Sequence, residues 1–131
     1  MVEGKYTLSK EERLSWKRYI DLLFDKGNSF VAFPLRVIFL PLSEDEKAAL
    51  PPSSMLISVS KKKFKRAVKR NRVKRLVREA YRLRKQELFS LLEEKGKTVL
   101  LAFIYMDKEI RPFSDMEKAM DKTIRLLGEK L

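Results

Sequence analysis

Residues 61–85, KKKFKRAVKRNRVKRLVREAYRLRK, restrict what this 131-residue chain can fold into more than any other stretch. Fourteen of those twenty-five positions are Lys or Arg and the only acid is Glu79, so the segment carries +13. The whole chain carries +12, which leaves the other 106 residues at −1. The excess is local: a helix-sized cation that an otherwise near-neutral domain has to carry. Charge concentrated in this way calls for a polyanionic partner.

The periodicity says how such a segment attaches. A helix over about 66–95, with Gln86 as a candidate break and Gly96 as its stop, places Val73, Leu76, Val77, Ala80, Tyr81 and Leu83 on one broad face. Asn71, Arg72, Lys74, Arg75, Arg78, Arg82 and Lys85 fall opposite. In the first turns Arg66, Lys69 and Arg70 occupy the arc that is apolar later. The C-terminal half therefore anchors the helix while its first turns stand clear of the core. Cations at a helix N-terminus oppose the macrodipole at about 0.3–1 kcal/mol each. Phosphates placed there offset that cost, and the free backbone N–H groups add to the attraction.

The remaining residues supply a mixed sheet and two further helices. Ser9-Lys10-Glu11-Glu12 fits a capping box that opens a first helix, and Gly27, in a left-handed conformation, closes it. Trp16, Tyr19, Ile20, Leu23 and Phe24 share its apolar arc. From Ser29 to Leu42 the pattern is extended, with a strand bracketed by Pro34 and Pro41 and a short extra strand at Phe30–Phe33. Residues 43–53 read as a polar, acidic loop. Met55–Ser60 reads as a second strand, with Ile57 and Val59 on one face and Ser58 and Ser60 on the other, compatible with solvent or with a ligand. Thr98–Tyr105 is an apolar run expected to be buried on both faces. Pro112 and a second capping box, Ser114-Asp115-Met116-Glu117, open a last helix whose inner face is Met116, Ala119, Met120, Thr123 and Leu127. Helices packed on a sheet in a single domain over 1–131 is the expected architecture.

Composition removes most catalytic options. Cysteine and histidine are both absent, which excludes disulfides, thiolate metal sites, and the commonest general base and transition-metal ligand. There is no nucleophile elbow, glycine-rich phosphate loop or zinc-protease helix. Glu44, Asp45 and Glu46, or Asp107 and Glu109, are the carboxylates available to Mg²⁺, and loop carboxylates of this kind are usually only solvated. No window approaches the roughly 20 apolar residues of a membrane span, and MVEGKYTLSKEERL is not a signal peptide; the expected location is the cytoplasm. The cationic helix has no matching Trp/Phe/Leu stripe, which disfavours a membrane surface. Its arginines suit bidentate phosphate contacts. Nucleic acid is the partner class these features select, with the aromatics of the first helix and strand suited to stacking on an unpaired strand.

The segment Leu56-Ile57-Ser58-Val59-Ser60-Lys61-Lys62, four residues, then Ala67 to Arg82 (AVKRNRVKRLVREAYR) closely resembles the signature of the bacterial ribonuclease P protein subunit, whose Arg-Asn-Arg motif sits at Arg70-Asn71-Arg72. Leu23-Phe24-Asp25-Lys26-Gly27 is similar to the end of that family's first helix, and TVLLAF to its last strand. The signature loop often carries glycine, whereas here it reads Lys63-Phe64-Lys65-Arg66. The resemblance implies an α+β fold in the order αβββαβα, ribosomal-protein-like, with a left-handed βαβ crossover that runs against the general rule. It implies an accessory protein without catalytic residues in a ribonucleoprotein endoribonuclease. The partners would be a catalytic RNA and the 5′ leader of precursor tRNA, with Mg²⁺ bound mainly by the RNA and no obligate protein partner. Carried over by position, Lys61, Lys62, Arg66, Lys69, Arg70, Asn71, Arg72, Lys74, Arg75 and Arg78 would face RNA, Asn71 having the alternative of fixing a turn or a neighbouring Arg. Ile20, Phe24 and Phe39 would line a leader-binding cleft between first helix and sheet, Phe39 being equally suited to the core. The other reading of the same helix is a ribosomal or RNA-assembly protein with no processing role.

Overall fold

Val99–Tyr105 (β4) is the strand on which the rest is assembled, and five of its residues in succession, Val99 to Phe103, are fully buried. In the computed structural model, which describes residues 17–42 and 53–131, it is a middle strand of a four-stranded sheet. The elements run α1 (Lys17–Lys26), β1 (Asn28–Ala32), β2 (Leu35–Pro41), β3 (Ser53–Ser58), α2 (Ala67–Lys95), β4, α3 (Phe113–Lys130). Across the sheet the order is β1-β2-β4-β3, with β2 antiparallel and β3 parallel to β4. This is the expected αβββαβα arrangement, an α+β fold. The parallel neighbours β3 and β4 are joined through the long helix α2.

Period-two alternation sorts the sheet into two faces. Val37, Phe39, Leu101, Phe103 and Tyr105 join the larger core with residues of α2 and α3. Ile38, Leu100 and Ala102 point the other way and meet Tyr19 and Leu23 of α1. The extra strand proposed for Phe30–Phe33 is present as β1. A turn at Phe33-Pro34, with a cis peptide bond, separates it from β2, so the bracketing proline divides a hairpin. The Met106 N–H donates to the Pro34 carbonyl at 2.8 Å and ties that turn to the end of β4. The third strand spans Ser53–Ser58, two residues earlier than its alternation suggested, because Ser53 and Ser54 are buried in pairing with Val99 and Leu100. The Ser53 hydroxyl is satisfied there by the Tyr81 hydroxyl at 2.8 Å.

α2 is continuous for 29 residues, with no break at Gln86. Gly96 takes φ 64°, its N–H donating to Glu93 O at 3.1 Å, and the Lys97 N–H donates to Leu92 O at 2.9 Å. That is a Schellman closure, which the left-handed glycine makes possible. Val73, Val77, Ala80, Tyr81, Leu88 and Leu92 form the buried arc. Two positions depart from the wheel reading. Leu83 lies off this arc and is 41% exposed. Lys85, assigned to the cationic face, is buried, its ammonium 5.9 Å from the Phe89 ring; the four-carbon stem can lie along apolar surface.

α3 buries the five residues assigned to its inner face. The helix begins at Phe113 with Pro112 as N-cap, so Ser114 is already inside the first turn and the second capping box is not formed. Phe113 packs against the larger core and sets the start of the helix ahead of the serine. The first capping box, at Ser9–Glu12, Trp16 and the loop over 43–52 lie outside the described residues.

Gly27 ends α1, but not by taking a left-handed conformation; among the described residues Gly96 alone has positive φ. A Cβ at Gly27 would stand 2.4 Å from Leu23 O and 2.7 Å from Ile38 Cγ2, so the glycine is required by the close approach of helix end and strand. Gly27→Ala is therefore expected to destabilise the protein by about 1–3 kcal/mol through overpacking, and Gly96→Ala by about 1–2 kcal/mol through φ strain. Urea unfolding checks both. Replacing Gly96 by Asn should recover part of its loss, while Gly27→Asn should recover none.

Candidate nucleic-acid interface

The cations of 61–78 fall into three structural groups. Arg72, Arg75 and Arg78 succeed one another at three-residue spacing on the exposed side of α2, and Asn71 is exposed beside them. Lys74, on the flank, is half-buried. None of these arginines has a carboxylate partner among the described residues, in contrast to Arg82, which is paired with Glu79, and Arg84. Arg84 Nε lies 2.6 Å from Asp121 and its Nη2 3.0 Å from Glu117, a fork joining α2 to α3. Burial lowers the Arg84 pKa, but the hydrogen bonds to Asp121 and Glu117 outweigh it and the net shift is upward. The hydrogen bond from Arg82 holds the Glu79 carboxyl below the usual range.

The second group surrounds a concavity of about 490 Å³ at the N-terminus of α2, lined by Lys63, Phe64, Lys65, Arg66, Lys69, Lys108, Glu109 and Ile110. Arg66 and Lys69 stand on the arc that further along α2 is core, so they lean over this cleft and away from the exposed stripe. Five cations and one carboxylate here surround the positive end of a 29-residue helix dipole. The segment before α2 is held rigidly. The buried Phe64 ring packs 6.0 Å from Tyr105, its N–H donates to Ser60 O at 3.1 Å, and the Lys63 ammonium donates to Met106 O. The Lys62 N–H donates to the Ser60 hydroxyl at 3.1 Å, leaving the side chains of Lys61 and Lys62 exposed. No non-glycine residue described takes positive φ, so this turn closes without the glycine common in the resembling signature.

Arg70 makes a group of its own. Its Nη1 donates to Phe64 O at 2.8 Å and to Lys65 O at 2.9 Å, so its guanidinium holds the turn against the helix. Of the residues expected to face RNA, Arg66 and Lys69 meet in the cleft, Arg72, Arg75 and Arg78 form the stripe, and Arg70 is committed to backbone carbonyls. Lys63, Lys65 and Lys108 were not among those expectations. The first two lay inside the charged run, but nothing in the sequence connects Lys108 to it.

Beyond the cleft, the segment 106–112 is cross-linked by its own side chains. The Asp107 carboxylate accepts from Arg111 Nε at 2.5 Å and from the Glu109 N–H at 3.2 Å. The Arg111 hydrogen bond, followed by that from Glu109, holds Asp107 below the usual carboxylate range, and the Asp107 bond raises Arg111. The Tyr105 hydroxyl donates to Glu109 O and accepts from the Arg111 N–H; burial, first among several influences, raises its pKa.

The aromatic cleft is only partly as expected. Phe24 is 48% exposed on α1, in a position to meet a ligand, and Ile20 packs partly against the smaller core. Phe39 does not line this cleft: it is buried on the opposite face of the sheet, its ring 5.8 Å from Phe30. A slip of one residue along a strand exchanges the faces, and it is Ile38 that faces α1. Among the described residues no three carboxylates converge into a metal-holding cluster, and no helix is long and apolar enough to cross a membrane.

Comparison with known proteins agrees with this geometry. The family model described as Ribonuclease P matches residues 8–127. The ribonuclease P protein component of Porphyromonas gingivalis is 48% identical over 124 residues, covering 94% of this chain and 88% of that protein. The component from Chlorobium phaeobacteroides is 42% identical over 126 residues, covering 92% and 86%. Among solved structures, the RNase P protein of Staphylococcus aureus superposes with a TM-score of 0.68 at 18% identity over 88% of this chain and 94% of its own, a likeness of fold. That of Thermotoga maritima gives 0.61 at 27% identity, covering 87% and 96%.

Because Arg70 Nη1 serves two carbonyls, Arg70→Lys keeps the charge but should not hold the turn. Amide hydrogen exchange at Phe64 is expected to accelerate in Arg70→Lys while the melting temperature changes little. Arg72→Lys should exchange as the parent does; equal protection in both variants would remove Arg70 from this role.

Proposed function

The chain belongs to the ribonuclease P protein family, and from that premise we propose that it is the protein subunit of a ribonucleoprotein endoribonuclease, binding the catalytic RNA and the 5′ leader of precursor tRNA. The observation that carries this reading is the sorting of cations around α2: Arg72, Arg75 and Arg78 form an exposed stripe and Arg66, Lys69 and Lys108 line a cleft without carboxylate partners among the described residues, while Arg82 and Arg84 are paired. Arg72, Arg75 and Arg78 neutralise RNA phosphates along the helix. Arg66, Lys69 and Lys108, with the dipole of α2, hold a phosphate group at its N-terminus. Arg70 keeps the preceding turn in place for them. Phe24 offers a ring to an unpaired leader base.

The protein's part is positioning and charge neutralisation. The Mg²⁺ ions that assist phosphodiester hydrolysis are assigned to the RNA. The protein favours the precursor over the mature product because only the precursor carries a leader to contact.

Cleavage of a 5′-leader precursor tRNA at low Mg²⁺, with catalytic RNA alone, protein alone and both, tests this. Activity is expected only with both. Cleavage by protein alone would place a catalytic site within this chain, and tight RNA binding without stimulation would favour the ribosomal or assembly role. In the same system, Arg72→Gln and Arg75→Gln should each lower the slope of log affinity against log salt by about 0.7–0.9. An unchanged slope would remove the stripe from the interface.

A further inference from the structure

At the β1–β2 turn a phenyl ring stands half out of the protein. Phe33 is 52% exposed, although Ala32 and Leu35 on either side of the turn are fully buried. The Arg111 guanidinium carbon lies 5.1 Å from the ring centroid, within the range of a cation–π contact. Arg111 is fixed in turn by the Asp107 carboxylate at 2.5 Å and, through its backbone N–H, by the Tyr105 hydroxyl at 2.9 Å. The Met106 N–H binds the turn itself at Pro34 O. An aromatic ring and a planar cation are thus held together before any ligand arrives. The segment that supplies Arg111 also supplies Lys108 to the basic cleft.

A ligand for this ring has a flat π-face; Arg111, paired with Asp107 and lying 3.8 Å from Asp115, fixes the ring, and its charge is already met by those carboxylates. We infer that Phe33, held by Arg111, forms a stacking platform for an unpaired base of bound RNA, separate from Phe24 on α1. This rests on the RNA-binding role proposed above. An unpaired nucleotide suits this arrangement: the base covers the phenyl ring, and the phosphates of the same strand are drawn to the lysines of the basic cleft. Stacking of this kind tolerates any base, so the platform adds affinity for single-stranded segments without adding sequence preference. Preorganisation by Asp107 and Tyr105 reduces the ordering lost on binding.

The test compares Phe33→Leu, Phe33→Trp and the parent for binding to catalytic RNA and, separately, to a precursor tRNA with an unpaired leader. Thermal melting of each free protein accompanies the binding. Phe33→Leu keeps apolar bulk but has no ring; it should weaken at least one of the two RNAs about fivefold or more without changing the salt slope or the melting temperature. Phe33→Trp should restore or exceed parental affinity. The RNA that is weakened identifies which strand uses the platform. Parental affinity of Phe33→Leu for both RNAs would overturn the inference. So would losses in both variants that follow a fall in melting temperature, since the ring would then be packing material. If the parent bound neither RNA, the RNA-binding role itself would fail, a result distinct from the other two.

Discussion

The cationic helix is anchored to this domain chiefly by the buried arc that begins at Val73. Ahead of that residue α2 buries no side chain, and it is the preceding turn that plugs Phe64 against Tyr105. Behind it, Val77, Ala80, Tyr81, Leu88 and Leu92 lie in the larger core with Leu101 and Phe103 of β4. Tyr81 is central: its ring meets Phe103 edge-on at 5.9 Å and its hydroxyl reaches Ser53 on β3. One residue thus joins the helix to both strands of the parallel pair. Burial of such side chains, about 1.5–3 kcal/mol each, is what allows the first turns to carry unpaired charge.

Where the sequence was decisive, a single local rule governed the outcome. β4 reads as doubly buried because every residue from Val99 to Phe103 is apolar, and the inner face of α3 reads correctly because its apolar positions keep helical spacing. Gly96 stops α2 because a left-handed residue was needed there. Where two rules competed, local reading failed. Local pattern leaves Phe39 equally suited to the α1 cleft and to the core, and only strand parity, set by its pairing with Leu101, turns it to the core. Ser114 had the right neighbours for a cap, yet packing of Phe113 starts the helix before it. Gly27 looked like a backbone-conformation glycine and is a contact glycine, because Ile38 comes from a strand that the helix pattern does not contain.

The site followed the same division. That residues 61–85 bind a polyanion was legible, since charge is additive and needs no fold. Which cation does what was not. Arg70 and Arg72 flank one asparagine in the sequence, but a helix rotates them about 200° apart, one toward the carbonyls of Phe64 and Lys65, the other outward. Lys108 joins Arg66 and Lys69 only because the end of β4 lies beside the turn that precedes α2. Tertiary contact decides such groupings, and no periodicity encodes it.

The same charges act in opposite directions on the free and the bound protein. In the free chain, cations gathered at the N-terminus of α2 repel one another and the helix dipole, which weakens the first turns. With phosphates present those terms reverse sign, and the repelling groups become the attachment. Arg70 supports this arrangement by tying the turn to the carbonyl oxygens of Phe64 and Lys65, so the turn is held without bringing a carboxylate among the cations. Arg84 shows the alternative where charge is not wanted, its guanidinium closed off by Glu117 and Asp121. Along one helix, Arg84 is neutralised where α2 meets α3, while Arg72, Arg75 and Arg78 on the exposed side have no carboxylate partner among the described residues.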